Sequence, residues 1–267
     1  MAKGKGLKEG GLIYLQESLV KADPKLTVIG ADRKLTAAVI KDGTNKIAAG
    51  VFKGNDRLET AVIPDSASEI GVEAFSFYRN LASVTLPDGV AVIGHSAFVG
   101  CAALREAKLP RSLRVIPYGA FEYCYGLVSV IIPEGMQEIG ASAFAHCESL
   151  QEIKIPDSVT VIRSYAFAGC RSLSRVILPK GLTRLGQYAF LGCERLTEAV
   201  IPDGVTTINR GTFCGCYRLS RAVLPSGLKC ICNYAFADCD SLTDLIIPAS
   251  VARIDKQAFA GCSSLSL

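Results

Sequence analysis

The chain has 267 residues, of which 49% are hydrophobic and 20% are charged, and its formal net charge is +4. This is enough apolar sequence for one elongated domain, and the modest charge, without a basic block, argues against a nucleic-acid-binding stripe. The apolar runs are only a few residues long, so we expect no insertion into a membrane.

Residues 1–34 differ from the rest and are predicted to form an N-terminal capping segment. Within it, residues 11–22 carry Leu12, Leu15 and Leu19 at helical spacing, and a proline then ends the pattern. We expect a short amphipathic helix that covers the first coil of the array that follows, because an open end would expose both the core and an unpaired strand edge.

Residues 35–267 repeat with a period of 23. Regular copies start at residue 41, and the last copy is truncated at Leu267. A fixed period of this length predicts a solenoid, in which each unit buries its apolar face against its neighbours. Prolines open the copies at 64, 87, 110, 133, 156, 179, 202, 225 and 248.

Like residues recur in columns when the opening proline is counted as position 1. Position 15 is Tyr78 and then Cys in eight copies, from Cys101 to Cys262. Equivalent positions of neighbouring coils stack about 4.8 Å apart, so each column is predicted to be a ladder of touching side chains. Position 12 is Phe in every proline-led copy: Phe75, Phe98, Phe121, Phe144, Phe167, Phe190, Phe213, Phe236 and Phe259.

The elements of one copy can be placed coarsely. Positions 20–23, such as Glu152 to Ile155, alternate outward and inward and are predicted to be a strand that the next proline ends. Positions 4–7, such as Val159 to Ile162, are a candidate for a second short strand. Positions 9–15 pack Ala, Phe and Cys too closely for alternation, which indicates a helical turn or an irregular arc.

The unit L-x-x-V-x-I-P-x-x-V-x-x-I-x-x-x-A-F-x-x-C resembles the BspA-type leucine-rich repeat, with Leu150, Ile153 and Ile155 as its Leu-x-x-Leu-x-Leu core. The resemblance implies a right-handed, horseshoe-like solenoid with one short parallel strand per repeat and helical or irregular arcs. It also implies a role in recognition, in proteins that are often displayed on microbial surfaces.

Eleven cysteines raise the question of disulfides or metal. Most lie in the position 15 column, where a thiol packs as a small hydrophobe, and the odd total favours free thiols. Cys214, Cys216, Cys230 and Cys232 form two C-x-C pairs, a pattern that zinc sites share. Cys216, however, belongs to the core column, and Ile231 directs Cys230 and Cys232 outward. We therefore predict no metal site and, as the more plausible role for Cys230 and Cys232, a reactive surface pair.

Catalytic patterns are absent from the sequence. The two histidines, His95 and His146, occupy non-equivalent positions, and no metalloprotease, nucleophile-elbow or phosphate-loop motif occurs. Glu148 and Glu152 are a carboxylate pair such as a polysaccharide-acting β-helix enzyme would need, but both stand in columns of mixed charge typical of a solvated face. We predict no catalytic residue and no cofactor, and keep that enzyme as the least favoured alternative.

The outward strand positions 20 and 22 carry the candidate binding residues. Position 22 is apolar in four consecutive copies: Ile177, Val200, Val223 and Ile246. Position 20 alternates in sign: Glu152, Arg175, Glu198, Arg221 and Asp244. One interpretation is a salt-bridge ladder beside strand-favouring residues. The other is an apolar stripe edged by charge, which is typical of interfaces.

We therefore predict a non-enzymatic scaffold that binds a protein or peptide through its concave sheet face. The alternative is a structural spacer or assembly segment of a longer, adhesin-like protein, with end-to-end contact through the C-terminal edge. The N-terminus as given has no apolar core of a secretory signal, which predicts a cytoplasmic location. As a piece of a longer protein, the chain would be expected at the cell surface or outside the cell.

Overall fold

The computed structural model describes residues 37–40, 42–51 and 57–265, together with the backbone of three N-terminal strands at 8–9, 12–14 and 26–28. In these residues the chain winds as a parallel β-solenoid, in which each 23-residue copy forms one coil, as the period predicted. No helix in the described part of the chain is long and apolar enough to cross a bilayer.

Each coil contributes two short strands, one in each of two rows, so the second strand expected near positions 4–7 is present. The even-numbered strands form one row: β2 Leu12–Tyr14, β4 Ala37–Val39, β6 Thr60–Val62, β8 Ser83–Thr85, β10 Glu106–Lys108, β12 Ser129–Ile131, β14 Glu152–Lys154, β16 Arg175–Ile177, β18 Glu198–Val200, β20 Arg221–Val223 and β22 Asp244–Leu245. From β4 to β20 these strands occupy positions 20–22 of the repeat, and β22 occupies positions 20 and 21. The odd-numbered strands form the other row: β3 Leu26–Val28, β5 Thr44–Ile47, β7 Glu69–Ile70, β9 Val92–Ile93, β11 Val115–Ile116, β13 Glu138–Ile139, β15 Val161–Ile162, β17 Arg184–Leu185, β19 Thr207–Ile208, β21 Cys230–Ile231 and β23 Arg253–Ile254. From β5 onward each of them ends at position 7.

The N-terminal segment differs from the prediction. A further strand, β1 Lys8–Glu9, pairs antiparallel with β2, and β2 continues the even-numbered row by pairing parallel with β4. The helix predicted over residues 11–22 is therefore wrong at Leu12–Tyr14, and its other residues lie outside the described chain. Ile and Tyr favour strands, and the open edge of β4 offers hydrogen bonds that a short isolated helix cannot match.

The core of the solenoid is a stack of phenylalanine rings. Successive rings from Phe75 to Phe259 lie 5.2 to 5.6 Å apart between centroids and within 13° of parallel. The first eight of these rings are fully buried. Burial of one such side chain contributes roughly 1.5–3 kcal/mol, so the column is a main source of stability along the rod.

The arcs at positions 9–15 are irregular, which confirms the second of the two predicted alternatives, and no helical turn forms in the described arcs. Residues at positions 10, 12 and 14 donate backbone hydrogen bonds to the next coil, as Phe121 N does to Ala143 O at 2.8 Å, instead of closing helical turns. Positions 10 and 14 have positive φ in every proline-led copy, for example 59° at Tyr165 and 71° at Gly169. A residue in the left-handed region stops a right-handed helix from continuing.

The row of even-numbered strands is interrupted at intervals of two coils. Strand pairing joins β10 to β12, β14 to β16, and β18 to β20 and β22, but it does not join β8 to β10, β12 to β14 or β16 to β18. Between β16 and β18, Thr197 N still donates to Ser174 O at 3.4 Å. The strands that carry Ile177 and Val200, the first two residues of the predicted apolar stripe, therefore lie side by side without ladder hydrogen bonds.

Candidate binding face

The even-numbered strands from β10 to β20 present their first and third residues outward and bury their middle residue, because successive side chains of a strand alternate between faces. In β18, Glu198 and Val200 are exposed while Ala199 is buried. The structure thereby places the nine predicted residues on one surface, which we call the candidate face: Glu152, Arg175, Ile177, Glu198, Val200, Arg221, Val223, Asp244 and Ile246.

The apolar stripe of the candidate face is accessible. Ile177 and Val200 are each 51% exposed, and Ile246, which follows β22, is 80% exposed. Val223 lies directly beside Val200 in the sheet and is half-buried. The stripe therefore leaves large apolar side chains open to solvent, as the sequence predicted.

The charged residues at position 20 form a ladder of ion pairs over only part of the column. Arg221 binds Glu198 in the preceding coil through Nη1 and Asp244 in the following coil through Nε, the latter at 2.9 Å. The hydrogen bond to Glu198 is the largest cause of a raised pKa at this guanidinium. Arg175 stands opposite Glu152 in the register, yet no ion pair joins these two described residues.

A groove of about 760 Å³ opens where β16 and β18 do not pair. The residues that line it include Arg175, Ile177, Lys180, Glu198 and Val200. Arg175 and Lys180 are exposed, and neither side chain forms an ion pair or hydrogen bond within the described part of the chain. The groove thus combines open apolar surface with two unpaired positive charges.

A smaller cavity of about 330 Å³ lies at the equivalent interruption between β12 and β14, lined by Ile131 and Lys154 among others. Ile131 is as exposed as the stripe residues, but sequence reasoning left it out because lysines at position 22 flank it. Both sites have an apolar residue at position 22, Ile131 or Ile177, but Val200 and Val223 share that feature in strands that do pair, so the residue type alone does not reveal the sites.

A second exposed surface on the arcs was also missed. Tyr123 stacks on His146 with 4.9 Å between ring centroids, so this histidine is not isolated. Tyr165 stacks on Tyr188 at 5.0 Å, and the guanidinium of Arg210 lies 5.9 Å from the Tyr188 ring. Recurrent tyrosine at position 10 was the sequence signal for this surface.

The cysteines lie largely where they were predicted. All are free in the structure, and seven of the eight in the position 15 column are buried. Cys216 donates its thiol hydrogen to the carbonyl of Phe190 at 3.2 Å, so it does not converge with the outward pair. Cys230 and Cys232 instead approach each other, with 3.7 Å between their sulfur atoms.

Comparisons with known proteins agree with this architecture. The family model for the BspA type leucine rich repeat region matches residues 31–151 and 137–266. A leucine-rich repeat protein from Bacteroides ovatus is 26% identical, with a TM-score of 0.61 over 97% of this chain and 90% of that chain. The pneumococcal vaccine antigen PcpA shares the fold at 18% identity, with a TM-score of 0.56 over 97% of this chain and 77% of that one.

A search of curated proteins finds no match to the sequence. The family model, however, covers most of the chain with six copies of the repeat region. The chain therefore belongs to the BspA-type leucine-rich repeat family.

Proposed function

We propose that this protein is a non-enzymatic scaffold whose candidate face binds a peptide segment of a partner protein. The observation that carries the proposal is the groove between β16 and β18, where exposed Ile177 and Val200 lie beside two positive side chains without partners in the described chain. Open apolar surface edged by charge is typical of interfaces.

Charge complementarity defines the class of peptide. An apolar side chain fits the space beside Ile177 and Val200, and acidic residues next to it would pair with Arg175 and Lys180. Glu198 does not compete for these cations in the structure, because Arg221 holds its carboxylate. The partner segment we propose is therefore an apolar residue flanked by Asp or Glu.

The carboxylates support binding over catalysis. Arg221 engages both Glu198 and Asp244, and Arg171 lies 3.4 Å from Glu148 as well as from Glu194. A general acid must exchange its proton with a substrate, and a carboxylate held in an ion pair is poorly placed to do so. These contacts favour a structural use of the carboxylates over glycoside hydrolysis.

The test is a selection from random peptides displayed on phage, using the full chain as bait. We expect enriched sequences that combine an apolar residue with Asp or Glu. A synthetic peptide from the selection should bind the double variant Val200→Glu, Val223→Glu at least tenfold more weakly, because the new carboxylates remove the apolar contact and repel the acidic residues of the peptide. Gln257→Glu, an exposed substitution on an arc, is the matched control.

Circular dichroism should show that both variants remain folded, since none of the three positions lies in the buried core. Equal loss of binding in the control and the double variant would place the site elsewhere. A selection that enriches no sequence would favour the alternative of a structural spacer or assembly segment.

A further inference from the structure

A separate cluster of donor atoms lies on the odd-numbered strands. Cys230 begins β21, Cys232 follows that strand, and Asp255 follows β23 one coil further on. Ile231 is fully buried between the two cysteines, so both thiols lie on the same outward face. Their sulfur atoms are 3.7 Å apart, and a carboxylate oxygen of Asp255 lies within 4.8 Å of both.

These distances match the coordination of a metal ion. A Zn–S bond of about 2.3 Å in a tetrahedral site puts two sulfur atoms about 3.8 Å apart. Carboxylate oxygen is an accepted third ligand for zinc, and the three side chains are only half-buried, which leaves access from solvent. We propose that Cys230, Cys232 and Asp255 bind one divalent zinc-like cation, with water at the fourth position.

Arg253 occupies the place of the cation in the structure. Its Nε lies 3.3 Å from the sulfur of Cys230 and 3.0 Å from the Oδ1 atom of Asp255. The side chain is 66% exposed, so it is free to turn into solvent when a dication neutralises the cluster. Because the ligands come from two neighbouring coils, the bound ion would tie β21 to β23.

Cobalt(II) is the probe, because its bonds to thiolates give a charge-transfer absorption in the near ultraviolet. The full chain, kept reduced with a phosphine that leaves metals free, should bind one equivalent and show this band. Zinc should then displace the cobalt and remove the band. Cys230→Ser and Cys232→Ser should each weaken binding at least tenfold, and Asp255→Asn should weaken it while the band remains at high cobalt.

Cys214→Ser is the matched control, because Cys214 is a half-buried free thiol outside the cluster. It should bind cobalt as the wild type does, and zinc should raise the melting temperature of both proteins but not of Cys230→Ser. No thiolate band in the reduced wild type, or equal affinity in Cys230→Ser, would overturn the proposal. A Cys230–Cys232 disulfide that persists under the reductant would also overturn it, because oxidised sulfur atoms cannot serve as thiolate ligands.

Discussion

The thiol of Cys170 donates a hydrogen bond to the carbonyl oxygen of Phe144, one coil earlier, across 3.2 Å. The same oxygen accepts the backbone N–H of Cys147 at 3.2 Å, so both lone pairs of this carbonyl are used. The relationship recurs at all eight cysteines of position 15, with sulfur–oxygen distances of 3.0 to 3.3 Å. A thiol suits the position because it fills apolar space and still donates a weak hydrogen bond.

Stability should depend sharply on the phenylalanine column. Phe167→Ala should lower the free energy of unfolding by roughly 3–5 kcal/mol, because neighbouring rings fixed on both sides prevent the cavity from closing. Ser164→Ala, a half-buried change on the same arc, should be near neutral. Denaturant titrations of the two variants measure the difference, and similar midpoints would contradict the role of the column.

The thiol column should also make the fold sensitive to alkali. Burial raises the pKa of Cys170 from about 9 to about 12. Below pH 9 the thiol is protonated in both states, whereas above it the unfolded chain loses the proton first, so stability is lost as pH rises. At pH 10 the ionisation of this one thiol in the unfolded chain lowers the free energy of unfolding by about 1.4 kcal/mol.

Cys170→Ala tests that linkage by comparison with the wild type. The variant should be less stable at pH 7, because it lacks the packing and the hydrogen bond, but it should lose less stability between pH 8 and pH 10. Urea unfolding at each pH measures the slope. Parallel slopes for the two proteins would show that Cys170 does not titrate between these states.

Native alkylation should separate the two classes of cysteine. Reaction requires thiolate and access, so the seven buried cysteines of the column should resist iodoacetamide, while the half-exposed Cys230 and Cys232 should react. Burial is the first cause that raises the pKa of Cys232, so its labelling should speed up with pH. Mass spectrometry of digests before and after unfolding identifies the sites, and labelling of Cys170 in the folded protein would contradict the buried assignment.

Position 14 offers a test of backbone strain. Gly192 has φ of 64°, and a methyl group added at its Cα would meet no other atom within 4 Å, so Gly192→Ala adds conformational strain without a clash. We expect a loss of about 1 kcal/mol. Gly227 has equal space but lies outside the left-handed region, so Gly227→Ala should be neutral or slightly stabilising. Thermal melts of the pair check this, and equal melting temperatures would contradict it.

The repeat period was sufficient to predict which side chains point inward or outward and which ones stack in a column. Phe167 points inward and Val200 outward because every coil repeats the same alternation, and a 23-residue register brings equivalents together. The left-handed backbone of the arcs was harder to predict from the sequence, because bulky Tyr165 and His146 occupy φ values that such residues rarely adopt. Glycine at position 14 in five copies and at position 10 in two was the clue to them in the sequence.

What the sequence could not predict depends on contacts between coils that are not equivalent. Whether β16 pairs with β18 depends on the relative position of two coils, and no single residue type signals it. Arg221 binds two carboxylates, whereas Arg175 binds none among the described residues. This difference also depends on the neighbouring coils, because both arginines occupy position 20. The approach of Asp255 to Cys232 required the relative position of two coils as well as the outward direction of each strand.

The two arginines of the candidate face should differ in what they do. Arg221 holds Glu198 and Asp244, whereas Arg175 lines the groove without a partner among the described residues. Arg221→Met should cost little stability, because exposed ion pairs contribute little. Arg175→Met should leave stability unchanged and should weaken the binding of an acidic peptide obtained by the phage selection.

Measurements at several ionic strengths show whether Arg175→Met weakens binding through the lost charge or through a changed groove surface. Raising the salt concentration should weaken peptide binding to the wild type more than to Arg175→Met, because the variant has already lost the screened attraction. Fluorescence anisotropy of a labelled peptide at several salt concentrations measures both slopes. An Arg175→Met variant that binds as tightly as the wild type, with the same dependence on salt, would remove the acidic flank from the proposed ligand while leaving the apolar groove as its site.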